Sequence, residues 1–137
     1  MKIYCASKAS HAKMWRRLRA EGIPIISTWI DEAEAGQTAD LGELWARIHR
    51  EVVTADRLVI YAEALDFPLK GALIEAGMAM AAGIPVAVVI ASDVRIELPS
   101  HRPIGSWVRH PGVTVLPTLS DAFHAEIQSR APMSAFQ

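Results

Sequence analysis

Short apolar runs punctuate this chain, separated by longer stretches in which apolar residues return every three or four positions. Runs of four to eight apolar residues predict strands buried on both faces, and the 3.6-residue period between them predicts helices. The expected order begins with a strand at Lys2–Ala6 and a helix from near His11 to Gly22, its start capped by Ser7 or Ser10. A strand at Ile23–Ile30 follows. Next comes a helix capped by Thr38 and running to about Thr54, with Leu41, Leu44, Trp45, Ile48 and Val52 on one stripe. A third strand at Arg57–Tyr61 leads into a small-residue helix around Glu75, then strands at Val86–Ile90 and Val113–Leu116, and a last helix at Leu119–Ile127. The segment 91–111 is polar, lacks a clear period and reads as loop.

Strands alternating with helices predict an α/β fold. Its expected form is a three-layer, doubly wound (flavodoxin-like) five-stranded parallel sheet of order 2-1-3-4-5. One domain spans residues 1–130, and 131–137 is a tail. Ligands of such sheets sit beyond the carboxyl ends of the strands, where the strand order reverses. That end gathers the Ser7 turn, the Trp29–Glu32 loop, the Ala62–Leu69 loop and the first turns of the Glu75 helix. Asp56 falls at the opposite end and reads as structural.

Composition narrows the classes. The chain has 137 residues, 51% of them hydrophobic and 21% charged, with a net charge of −1. A nearly neutral chain has no positive excess with which to bind a nucleic-acid polymer. Lys13, Arg16, Arg17 and Arg19 fit the wet face of one helix. No apolar run approaches the roughly 18 residues of a membrane span. The single cysteine, Cys5, has no internal partner, so a reducing, cytoplasmic setting is expected.

Glu75 is the most informative residue. It lies in Gly71-Ala-Leu-Ile-Glu75-Ala-Gly77-Met-Ala-Met-Ala-Ala, a helix of small and apolar side chains in which a lone carboxylate is costly unless the site uses it. Gly71 and Gly77 leave room around it, and the positive end of the helix dipole favours its charge. The plainer reading is a helical glutamate in a salt bridge. Tyr4 is central in the first strand, where its phenol must find a hydrogen-bond partner. Trp29 and Asp31 could stack on and hydrogen-bond a flat ring, or form an ordinary rim. Lys70, at a helix start, opposes the dipole unless an anion is near.

Other constellations are missing. No glycine-rich phosphate loop follows the first strand, and the five histidines lack metal-ligand spacing. No nucleophile elbow of the Gly-x-Ser-x-Gly kind occurs, and Cys5 reads as a small buried hydrophobe.

Three segments in order resemble the nucleoside 2-deoxyribosyltransferase superfamily, which includes 2′-deoxynucleoside 5′-monophosphate N-glycosidases. They are Lys2-Ile3-Tyr4, Ala55-Asp56-Arg57-Leu58-Val59, and Gly71-x-x-x-Glu75-x-Gly77-x-Ala79-x-x-x-Gly83-x-Pro85-Val86; Ser106-Trp107-Val108 is a weaker fourth. The resemblance implies a glutamate nucleophile at Glu75 and a tyrosine orienting it at Tyr4. The implied chemistry is cleavage or transfer at the N-glycosidic bond of a 2′-deoxynucleoside or its monophosphate. Such a reaction follows the logic of a retaining glycosidase and needs no metal or redox cofactor. A homodimer or larger homo-oligomer is implied as well, with Ser106 and Trp107 or the tail completing a neighbour's pocket.

The chain departs from that pattern at Ile48, where the family places an aspartate, and at Leu69, where it places an aspartate or serine. Asp66 stands in the right loop to protonate the leaving base. Ser7, Lys8, Lys70 and Gly71 remain for binding the substrate. The alternative is a binding module of the same fold that retains a nucleoside or nucleotide without turning it over.

Overall fold

The structure is a computed structural model that describes residues 1–34 and 36–127; the expected tail at 131–137 lies outside these. Four parallel strands form one sheet in the order β1-β2-β3-β4. They are β1 (Ile3–Ala6), β2 (Arg57–Ala62), β3 (Val86–Ile90) and β4 (Val113–Leu116). The helices are α1 (Ala12–Ala20), α2 (Leu41–Thr54), α3 (Gly71–Ala82) and α4 (Leu119–His124).

The sheet has four strands in the order 1-2-3-4, which corrects the expectation of five in the order 2-1-3-4-5. Residues 23–26 do run beside β1, parallel to it, on the edge away from β2. Contact there is a single bridge between Ile3 and Ile25, with Ile3 N–H donating to Pro24 O at 3.0 Å and Ile26 N–H donating to Ile3 O at 2.9 Å. Pro24 brings no N–H to extend the ladder. Beyond it the chain coils into a 3-10 turn at Thr28–Asp31, and the Thr28 N–H bonds the Glu51 carboxylate at 3.1 Å. β1 therefore has β2 on one edge and only residue 25 on the other.

Each strand divides its side chains between two cores, as a period of two requires. Tyr4, Leu58, Ile60, Val86 and Val88 pack with Ile48 and Val52 of α2 and Ala72, Ala76 and Ala79 of α3. Ile3, Cys5, Val59, Ala87 and Val89 pack with Ala12 and Trp15 of α1 and Ala122 and Phe123 of α4. The sheet therefore carries α2 and α3 on one face, α1 and α4 on the other. Alanines let α3 lie close to the strands.

Local chemistry sets the helix ends. The Asp40 carboxylate, rather than the expected Thr38, caps α2 by accepting from Glu43 N–H at 3.0 Å; the Thr38 hydroxyl turns to Glu32 at 3.0 Å. Gly83, at φ 76°, ends α3 in the left-handed conformation, and Pro85 prevents its continuation. Beneath α4, buried Arg57 donates from Nη1 to the carbonyls of Ala122 and Ala125, each at 2.9 Å. The loop-like segment 91–111 holds a 3-10 turn at Ser106–Arg109 and an antiparallel bridge between Glu97 and Arg102. No helix of the described residues is long and apolar enough to cross a membrane.

Candidate active site

Tyr4 and Glu75 meet in the core between β1 and α3. The Tyr4 hydroxyl donates to Glu75 Oε2. Tyr4 has no exposed surface and Glu75 keeps 6%. Burial pushes the Glu75 carboxyl up to about 7; the bond from Tyr4 pulls the other way, and the negative charge of Glu51 adds to the rise. The Tyr4 phenol is pushed far above its ordinary value, by burial first and then by Glu75. It therefore stays protonated and acts as a fixed donor.

Tyr4 holds Oε2, and Oε1 makes no hydrogen bond among the described residues. Gly71 stands one turn earlier on α3, and a Cβ there would lie 3.8 Å from Oε1 and 3.5 Å from Cη2 of Trp45. The missing side chain thus leaves a gap bordered by a carboxylate oxygen and an indole edge. Trp45 belongs to α2 and is half-buried. It read in sequence only as part of a core stripe.

Glu51 is the second group that sequence reasoning missed. It projects from α2, and its carboxylate accepts from the Thr28 hydroxyl at 2.6 Å as well as from the Thr28 N–H. Arg47 donates to the same hydroxyl at 2.7 Å and pairs with Glu32 at 2.7 Å. Glu51 is thereby fixed close enough to act on both Tyr4 and Glu75. An acid three residues beyond Ile48 on one helix gives no sequence signal of its own.

Of the other candidate residues, Ser7 and Lys8 follow β1 and Lys70 precedes α3, whereas Ser106 and Trp107 belong to the 3-10 turn just before β4. Ser7 Oγ accepts from Trp15 Nε1 at 2.8 Å and donates to Lys8 O at 2.8 Å. Lys8 and Lys70 make no ion pair among the described residues. Lys70 stands exposed at the N-cap of α3. Trp29 donates from Nε1 to Cys5 O at 2.8 Å. Asp31 is gripped by both terminal nitrogens of Arg19, at 2.9 and 2.7 Å, which holds its carboxyl below the usual range. Ser106 is exposed, and Trp107 bonds Ile104 O at 2.7 Å.

Asp66 is buried, and its Oδ2 accepts from Glu63 N–H at 2.7 Å and faces His11 Nε2 at 2.8 Å. These contacts tie it to the Tyr61 side of the sheet, the face that carries α1. Ile48 and Leu69 lie in the apolar core with Tyr4. Cys5 is buried and its backbone N–H bonds Ser27 Oγ at 3.1 Å.

Two solved structures share this architecture. A 2-deoxyribosyltransferase from the psychrotolerant bacterium Bacillus psychrosaccharolyticus superposes with a TM-score of 0.64 at 15% identity, covering 93% of each chain. The CMP N-glycosidase BcmB of Clostridium botulinum superposes with a TM-score of 0.54 at 14% identity, covering 86% of this chain and 87% of that one. No family model and no curated protein sequence matches the chain. The chain shares its fold with these two proteins.

Proposed function

We propose that this protein cleaves or transfers the N-glycosidic bond of a 2′-deoxynucleoside or its 5′-monophosphate, with Glu75 as nucleophile. The observation that carries the reading is the geometry at Glu75: a buried carboxylate whose one oxygen is pinned by Tyr4 while the other borders the gap at Gly71. Two fold neighbours that act on nucleosides or nucleotides support it.

In the proposed reaction Glu75 Oε1 attacks the anomeric carbon as the carbon–nitrogen bond to the base breaks. The base leaves with that electron pair and takes up a proton. The sugar is held as a glycosyl ester on Glu75 until water or a second base displaces the carboxylate, which restores the enzyme. Tyr4 keeps the carboxylate aligned throughout, and the indole edge of Trp45 offers an apolar wall to the sugar or base. The proton for the base comes from water, because Asp66 is held by His11 and Glu63 on the other face of the sheet. Lys8, Lys70 and Ser7 would face a 5′-phosphate, and Trp29, Asp31, Ser106 and Trp107 the rim. Exposed Leu73 and Ile74 on α3 support assembly into a homo-oligomer.

Incubation with each deoxynucleoside or monophosphate and a labelled free base tests the reading. Base release or exchange that disappears in Glu75→Ala is expected. Full turnover in Glu75→Ala, or none with any substrate, overturns it.

The second reading, a binding module without turnover, draws on Ile48 and Leu69, which put buried apolar groups, 4% and 5% exposed, where the resemblance places polar ones. It requires a nucleoside or nucleotide to raise the melting temperature without being consumed.

A further inference from the structure

A separate group of chemistry-bearing side chains gathers on the face of the sheet opposite Glu75. His11 comes from the turn after β1, and Glu63 and Asp66 from the turn after β2. One donor atom from each of the three lies within 4.8 Å of the other two. The side chains of His11 and Asp66 are only 13% and 7% exposed, so this is no solvated acidic patch.

Surrounding groups aim these atoms. The Tyr61 hydroxyl donates to Glu63 Oε2 at 2.5 Å, and its ring stands edge-on to His11 with centroids 5.1 Å apart. Contacts of this outer kind orient the residues that hold a metal. Charge adds an independent argument. Among the described residues no lysine or arginine pairs with Glu63 or Asp66, and the one ion pair either makes is between Asp66 and His11. Two part-buried carboxylates set beside one imidazole leave negative charge unmatched, which is costly.

We propose that His11, Glu63 and Asp66 form a site for a divalent transition-metal ion of the zinc kind, bound by one imidazole nitrogen and two carboxylate oxygens. Mixed nitrogen and oxygen donors suit such ions better than magnesium or calcium, which prefer oxygen alone. Two ligands about 2.1 Å from one ion stand roughly 3.0–3.4 Å apart. The 2.8 Å between His11 Nε2 and Asp66 Oδ2 therefore has to open by only a few tenths of an ångström. Nε2 offers its lone pair to the ion with the ring proton kept on Nδ1 and any second proton passed to solvent, and Glu63 swings in about its own side-chain bonds. Water fills the remaining positions. The site is independent of the chemistry proposed at Glu75.

Calorimetric titration of the chelator-stripped chain with Zn²⁺, and visible absorption with Co²⁺, provide the test. One ion per chain is expected, with protons released on binding. His11→Ala and Glu63→Gln should each weaken binding by tenfold or more. Glu63→Gln retains an acceptor for Tyr61 and so questions the site in a chain that keeps its fold. No binding at micromolar Zn²⁺, or unchanged affinity in Glu63→Gln, overturns the proposal.

Discussion

Tyr4, on the first strand, donates its hydroxyl proton to Glu75, on the third helix, so that side chains 71 positions apart form one buried unit. Removing the donor leaves the carboxylate its burial and takes away the contact that favours its charge. Tyr4→Phe should therefore raise the Glu75 pKa above its value of about 7. If Glu75 acts ionised, the acidic limb of the pH–rate profile moves to higher pH, by roughly 0.5–1 unit, and the rate at pH 7 drops about two- to fivefold from that shift. A limb that stays in place shows that Tyr4 does not tune Glu75.

Stability should fall as pH rises through the same range. Glu75 has a folded pKa of about 7 against an ordinary 4.5, so between these values the folded state holds more protons than the unfolded one. Raising the pH then destabilises the fold, by on the order of 3 kcal/mol once the group is fully ionised. Glu75→Gln removes the titration. Thermal melts from pH 5 to 8 should show a decline in the parent chain that flattens in this variant.

Glu51 supplies a smaller effect of opposite sign to that of Tyr4. Its charge raises the Glu75 pKa, so Glu51→Gln should move the acidic limb downward by a few tenths of a unit. The amide also weakens the hold on Thr28, at about 1 kcal/mol of stability. Rate profiles and urea melts on the same sample separate the two consequences.

Gly71 divides fold from function. An added Cβ would meet Trp45 at 3.5 Å and Glu75 Oε1 at 3.8 Å, both ordinary contacts. Gly71→Ala should thus fold with stability unchanged or raised by roughly 0.5–1 kcal/mol, yet it fills the gap beside the free oxygen. A melting temperature at or above the parent's, with KM raised about tenfold, is the expected pair. An unchanged KM removes the gap from the substrate's path.

The main lines of the fold were legible because buried parallel strands leave unbroken apolar runs, and Leu58–Tyr61 and Val86–Ile90 are such runs. The run at 23–30 misled for a physical reason. Its apolar residues are buried singly, Ile25 beside β1 and Ile30 beneath α1, while Pro24 and the 3-10 turn deny it a ladder. The pairing of Tyr4 with Glu75 was reached through a resemblance, since a phenol in a strand and an acid in a helix do not announce each other. Trp45 and Glu51 stayed hidden because a helix stripe shows which residues face inward but not which meet a neighbouring helix's gap.

Arg57 carries a consequence for the chain's far end. Its Nη1 finds its two acceptors at Ala122 of α4 and at Ala125 just beyond it, and its Nε has no partner among the described residues. Trimming the protein back to Leu116 would do more than delete a short helix: it would abandon a guanidinium in the interior with its two acceptors gone. The central strand would then feel the loss of residues that lie more than sixty positions away, and a truncation that looks peripheral would strike the middle of the sheet.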